Sequence, residues 1–483
     1  MSQNLNTKVV TATKWSTITE VLARLVTPIT SMVLARLLTP EAFGVVTTLT
    51  MIITFAEIFT DAGFQKYLIQ HEFSDDRDRD ESTNVAFWSN LVMSLVIWGI
   101  IAIFSSSLAA LVGNPGLGHV LIIACISIPL AAFSSIQMAL YRRDLDFKTL
   151  FKVRIISTFI PLFVTIPLAL WLRSYWALVI GTIAVNLTNA VLLSIFSKWK
   201  PRWFYSFAKL KEMLSFTIWS MIEAISIWLT GYVDVFIVGT MLSQYYLGLY
   251  KTSSAMVGQI MGLVTAISTP ILFSTLSRLQ NDEAEFRLMF FRFQKLVGLL
   301  IIPLGMGIFL FSDLVTRLIL GDQWLEASGF VGLWGLTSAI TIVLSHYSSE
   351  VYRAKGRPKL SVLAQVLHLA VLCPTVLIAV KYGFETLYVA RSLVRFEMIA
   401  VNLCIMGIVL RMPIGKMIIN ILPSCIAAFF MMLVLLLPST DSIWINVLYA
   451  LLSTAIYLVV IIIFPEERKT LMTLPHFLRK NEI

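Results

Sequence analysis

LLTPEAFGVV, residues 37–46, and MLSQYYLGLY, residues 241–250, read as two versions of one phrase set 204 positions apart. In the first, Thr39 and Pro40 suit the cap and first position of a new helix, so the phrase marks an elbow between two apolar stretches. The same offset relates WSTITE at 15–20 to WSMIE at 219–223. Further on, SSIQMALYRR at 134–143 faces SSEVYRA at 348–354, with the tyrosine–arginine pair offset by 211, and a loop-sized insertion accounts for the drift. Each match is weak alone, because apolar helices resemble one another, but the shared order predicts an internal duplication.

The repeated units lie in a chain of 483 residues, 58% hydrophobic and 13% charged, with a mean hydropathy of +0.83. That composition lies outside soluble globular usage and predicts an all-α polytopic membrane protein. Spans of roughly 20 apolar residues, enough to cross about 30 Å of hydrocarbon, recur throughout. Fourteen are expected, beginning with 16–37 and 42–68 and ending with 385–410, 416–437 and 442–464. They group as a six-helix bundle at 1–200, a second at 201–410, two additional helices at 411–464 and a tail at 465–483. The first span is too long for a signal-peptide core and is expected to remain as an anchor. Six spans per unit is even, so both units enter the membrane in one orientation, related by an axis along the membrane normal. In transporters built this way the substrate site lies between the units and is exposed alternately.

Basic residues set the orientation. Alternate connections and the termini hold 29 of the 37 lysines and arginines, and the opposite connections hold only Arg36, Arg173, Arg317 and Lys381. The positive-inside rule then predicts cytoplasmic termini and a cytoplasmic tail. The net charge of +9 is largely this signal and does not indicate nucleic acid. The four cysteines, in apolar segments without metal-ligand spacing, read as buried small hydrophobes.

Four basic residues remain inside predicted spans: Arg24, Lys251, Arg391 and Arg395. Acids accompany them. Glu20 lies one turn before Arg24, Glu57 one turn before Asp61, and Glu223 is the repeat counterpart of Glu20. Pro28 would withdraw a hydrogen bond from the carbonyl of Arg24, so a loosened turn is expected there. Two readings stand: structural ion pairs between helices, or a water-filled, partly cationic cavity that meets an anionic substrate. Charges inside spans mostly line pathways, which favours the second for Arg24, Lys251, Arg391 and Arg395 as a set. Glu20, Glu57 and Glu223 are candidates for ion pairing or for carrying a coupling proton. Asp61, Asp234 and Glu350, near span ends, and the lone His346 and His368 read as structural. The run DDRDRDE at 75–81 reads as a solvated loop rather than a metal site.

No phosphate-binding GxxxxGK[ST] loop, HExxH or paired CxxC is present, so neither a cofactor nor a resident metal is expected. A membrane polymerase would want a long outer loop, which the chain lacks. A drug or organic-cation antiporter would want acids dominating the cavity, and the four buried-span cations argue against it.

ARLLTPEAFG at 35–44, FTDAGFQKYLIQ at 59–70, YRRDLDFKTL at 141–150, VDVFIVGTML and LGLY at 233–250, and YRAKGRPKL at 352–360 together carry a likeness. In this order, over about 10–410, the chain resembles the polysaccharide transport family of Wzx-type oligosaccharide flippases. That family sits within the multidrug, oligosaccharidyl-lipid and polysaccharide exporter superfamily, and the chain is similar to its colanic acid and exopolysaccharide branch. The resemblance implies a transporter rather than an enzyme, with two six-helix bundles and two further helices, in the bacterial inner membrane. It implies an undecaprenyl-diphosphate-linked oligosaccharide as substrate, moved by alternating access from the cytoplasmic to the periplasmic leaflet for exopolysaccharide, O-antigen or capsule biosynthesis. Polymerase and chain-length proteins of the same pathway are the implied partners besides the lipid bilayer. Related flippases of lipid-linked cell-wall precursors carry basic residues on the first and eighth helices, which Arg24 and Lys251 match by helix.

Overall fold

The computed structural model describes the backbone of residues 2–470 apart from 62, 358, 439 and 441, and the side chains of these except 2–14, 16, 17, 20, 21, 61, 215–220, 222 and 223. Among the described residues every regular element is helical. Twelve helices are long and apolar enough to cross a membrane, from Pro40–Thr60 to Ile443–Ile463. Two of the fourteen expected spans fall outside those twelve, and both are helices nonetheless. Phe384–Ile408 is long enough but carries Arg391, Arg395 and Glu397 through its middle, and Ser2–Leu37 has described side chains mainly in its second half.

Packing divides the chain into two compact units, Met1–Lys251 and Thr252–Ile483. In the first, Ser127–Arg143 packs with both Asp76–Ile103 and Trp176–Phe196, and Ser2–Leu37 lies on Phe147–Ile160. The reason is visible in the sequence spacing: Val45, Leu49, Ile53 and Ala56 recur every three or four positions, so they form one stripe on Pro40–Asp61. That stripe is buried against Val120, Leu121, Cys125 and Ile128. In the second unit, Glu283–Leu310 packs on Ser328–Thr341 through small residues, because a Cβ added at Gly305 would stand 2.3 Å from that of Ala339. Without a strong hydrophobic drive between helices in lipid, such close backbone approach is what holds them. The two final segments, Leu422–Phe430 and Ile443–Ile463, dock on Glu283–Leu310, where Tyr457 donates to the Leu299 carbonyl at 3.0 Å. Large apolar side chains such as Phe163, Trp171, Ile408 and Leu436 stay exposed, as a lipid-facing surface requires.

The two quoted elbows meet. A Cβ at Gly44 would stand 1.9 Å from the Gln244 carbonyl oxygen, and one at Gly248 would stand 1.8 Å from that of Pro40. Pro40 and Gln244, like Gly44 and Gly248, are 204 positions apart, the offset of the repeat. A reciprocal contact of this kind is what a local two-fold axis generates. Here it brings two helix starts, Pro40–Asp61 and Gln244–Arg278, into backbone contact. Gln244 adds a hydrogen bond from Nε2 to the Gly113 carbonyl at 3.0 Å.

Several local expectations change. Ser2–Leu37 runs through Pro28 as one helix, since an interior proline removes a single hydrogen bond and the remaining turns hold. The span expected at 42–68 stops at Asp61 and resumes as Phe64–Gln70, because Gly63 takes the left-handed conformation at φ 78°. The acidic run at 75–81 is not a loop. Asp75 caps the helix Asp76–Ile103 by accepting from the Asp78 N–H, and acids in a first helical turn complement its dipole. Lys209 then bridges Asp78 at 2.5 Å and Glu81 at 3.2 Å, while Arg79 pairs with Asp144 at 2.9 Å. Of the four cysteines Cys125 is buried, whereas Cys404 is exposed on the face of Phe384–Ile408.

Candidate functional site

Arg391 and Arg395 lie one turn apart on Phe384–Ile408, and Trp334 and Ser338 lie one turn apart on the neighbouring Ser328–Thr341. The matched spacing brings the rows together. Both guanidinium carbons sit over the Trp334 ring, at 5.0 Å for Arg391 and 3.3 Å for Arg395, and Arg395 also donates to the Ser338 hydroxyl. A cation over an indole face gains about 0.5–2 kcal/mol, more as water is excluded. Stacking uses the guanidinium face and leaves hydrogen bonding to its edge, the geometry that suits phosphate oxygens. Further along the same helix, Glu397 Oε2 lies 2.8 Å from His368 Nδ1, and Asn402 donates to Ser345 at 2.9 Å. Ser345 belongs to a π-helical turn, Ile342–His346, a local widening that is common at functional positions.

In the first unit Lys251 stands 5.1 Å above the Tyr232 ring, with Nζ 3.5 Å from the Gly231 carbonyl. Its neighbour Tyr250 donates to the buried Asp234 at 2.6 Å, and Asp234 also accepts from the Val235 N–H. Tyr250→Phe removes that donor from a buried carboxylate, and should lower stability by about 1–3 kcal/mol. A downward shift in the thermal unfolding of the purified protein measures it; an unchanged midpoint would show the hydrogen bond to be dispensable. Arg24 is exposed on Ser2–Leu37. The side chains of Glu20 and Glu223 lie outside the described residues.

Glu57 lines a cavity of about 400 Å³ within the first unit, together with Lys66, Asn90, Asn186, Asn189 and Ser135. Asn186 and Asn189 share a face of Trp176–Phe196, three positions apart in a mostly apolar helix. Ser157 donates to Asn189 Oδ1 at 2.6 Å, and Asn90 donates to Ser135 at 2.7 Å. Sequence reasoning that followed charge alone passed over these carboxamides. The legible signal was the pair of asparagines inside a span, where an uncompensated amide is costly.

The structure therefore joins Arg391 to Arg395 through Trp334, joins Glu57 to Lys66 around a cavity, and gives Lys251 an aromatic partner. Residues 33–329 match the family model described as polysaccharide biosynthesis protein. The chain belongs to this family. Its relatives include a membrane protein of the cps region of Klebsiella pneumoniae, 21% identical over 77% of this chain and 76% of that protein. Another is the succinoglycan biosynthesis transport protein ExoT of Rhizobium meliloti, 23% identical over 70% of this chain and 68% of that protein. Across four curated relatives the matched region spans 63–76% of their length. Among solved structures, the inward closed conformation of the lipid II flippase MurJ superposes with a TM-score of 0.72 at 15% identity, covering 93% of this chain and 98% of that one. An inward-facing multidrug resistance MATE family transporter superposes at 0.62 with 13% identity, over 82% and 95%. This family member thus has the helical fold those transporters share, and the stacked arginines sit in its second unit.

Proposed function

We propose that this chain is a flippase that moves oligosaccharide repeat units, linked to a polyprenyl diphosphate, from the cytoplasmic to the periplasmic leaflet for polymer biosynthesis. One observation carries the reading: a member of a polysaccharide biosynthesis family is built largely of helices long and apolar enough to cross a membrane, and a further helix, Phe384–Ile408, holds two guanidinium groups side by side. A diphosphate needs fixed cations with hydrogen-bonding edges, and arginine supplies both. Burial of such charge in a lipid-spanning helix without a ligand role is disfavoured. Relatives named for succinoglycan transport and lipopolysaccharide biosynthesis, and the shared fold with a lipid II flippase, support the same reading. The basic-residue distribution supports cytoplasmic termini in an inner membrane. Polymerase and chain-length proteins of the pathway are the expected partners.

The test is a deletion strain. It should accumulate the lipid-linked repeat unit on the cytoplasmic leaflet and make no surface polymer; normal polymer without accumulation would overturn the proposal. Arg24→Ala, expressed in that strain, should reach the membrane at wild-type level and restore roughly a tenth of export or less, the loss of about one charge-assisted contact. Full restoration would remove Arg24 from the substrate path.

A further inference from the structure

The cavity within the first unit has a chemistry different from that of the stacked arginines. Its polar lining comes from five separate helices: Glu57 from Pro40–Asp61, Lys66 from Phe64–Gln70, Asn90 from Asp76–Ile103, Ser135 from Ser127–Arg143, and Asn186 with Asn189 from Trp176–Phe196. One acid and one base balance formally, so the cavity carries no net demand for an anion or a cation. What it offers is carboxamides and hydroxyls, groups that both donate and accept. Diphosphate oxygens only accept, and a polyprenyl chain does neither. Sugar hydroxyls do both.

Asn90 supplies the second observation. It is fully buried, its Nδ2 is committed to Ser135 Oγ at 2.7 Å and the Ala132 carbonyl at 3.3 Å, and its Oδ1 has no hydrogen-bond partner among the described residues. A buried acceptor in that condition calls for a donor from whatever fills the cavity. Asn189 is held by Ser157 at 2.6 Å, so its carboxamide is oriented before any ligand arrives. The volume, about 400 Å³, lies in the range of about 300–1,000 Å³ typical of small-molecule sites and is far too small for a whole lipid-linked oligosaccharide.

We propose that this cavity is a saccharide subsite that binds an uncharged sugar of the repeat unit through Asn90, Asn186, Asn189 and Ser135, separately from the groups that hold the diphosphate. The assignment rests on the flippase reading and deepens it. The cavity then sets which repeat unit is accepted, because a site built to hydrogen-bond hydroxyls rejects a sugar that lacks or inverts one.

The experiment uses the full chain in lipid nanodiscs and, as probe, the lipid-free repeat unit released by mild acid from the producing strain's polymer. Saturation-transfer NMR should show transfer to the sugar ring protons in the wild type. It should weaken roughly five- to tenfold in Asn186→Leu/Asn189→Leu, the loss of about one hydrogen bond, and be unchanged in Arg391→Ala/Arg395→Ala. If the asparagine double variant fails to assemble, Met138→Trp, which fills the cavity from one wall, carries the test with the same expectation. Equal transfer in the wild type and the cavity variant, or none in the wild type, overturns the subsite. A deletion strain that accumulates the intermediate while the wild-type nanodisc shows no transfer overturns the subsite alone. A deletion strain that accumulates nothing overturns the flippase reading itself.

Discussion

Arg391→Ala/Arg395→Ala should reduce surface polymer at least roughly 10- to 100-fold while the protein still reaches the membrane, the loss expected when one or two charge-assisted contacts worth about 1.5–3 kcal/mol disappear. The two arginines share Trp334, so their effects should not add: the first alanine also frees the ring on which the second cation stacks. Arg395→Lys separates charge from shape. Lysine keeps the cation but cannot present a planar fork above the indole, so export should stay well below wild type. Accumulation of the lipid-linked repeat unit, measured beside surface polymer, distinguishes a transport defect from loss of supply. If the double alanine variant exports normally, the pair is a structural cluster between Phe384–Ile408 and Ser328–Thr341 and the diphosphate is held elsewhere.

Gly248→Ala and Gly44→Ala should each be severely damaging, although each adds a single methyl group. The new Cβ would overlap a neighbouring backbone carbonyl at 1.8 Å or 1.9 Å, and a backbone cannot rotate away as a side chain can. Overpacking against a rigid partner costs typically about 1–3 kcal/mol, and prising the two helix starts apart adds the loss of their mutual contact. Both thermal stability and export should fall. Gly258→Ala, in the same helix as Gly248 but with nothing within 4 Å of the added carbon, is the matched control and should be neutral or slightly stabilising. Equal midpoints for Gly248→Ala and Gly258→Ala would show that the elbows do not touch as closely as described.

These two sites differ in how far the sequence announced them. The elbow was legible, because LLTPEAFG and MLSQYYLG repeat at a fixed offset and both start helices, and even the glycine four positions after each start recurs. That the two copies pack on each other was not legible, since a repeat says nothing about which copies meet. Arg391 and Arg395 stood out as charges inside a span, yet Trp334 and Ser338, which orient them, lie more than fifty positions earlier and look like ordinary interior residues of an apolar helix. The carboxamides were missed for a related reason: a charge count does not register neutral polar groups, and Asn90, Asn186 and Asn189 are dispersed over two helices until folding gathers them.

By itself the sequence determined what local chemistry dictates. Hydropathy set the helical class, since in lipid a backbone must satisfy its own hydrogen bonds. Basic residues set the expected orientation, proline or glycine set the helix starts at Pro40, Phe64, Phe384 and Ile414, and the 204-residue offset set the expected duplication. Tertiary structure alone decided the rest: that the acidic run at 75–81 meets Lys209, that two arginines share one indole, and that side chains from five helices gather as the polar part of one cavity's lining. Such partners are distant in the chain, and apolar helices pack by shape complementarity that no single helix carries in its own sequence.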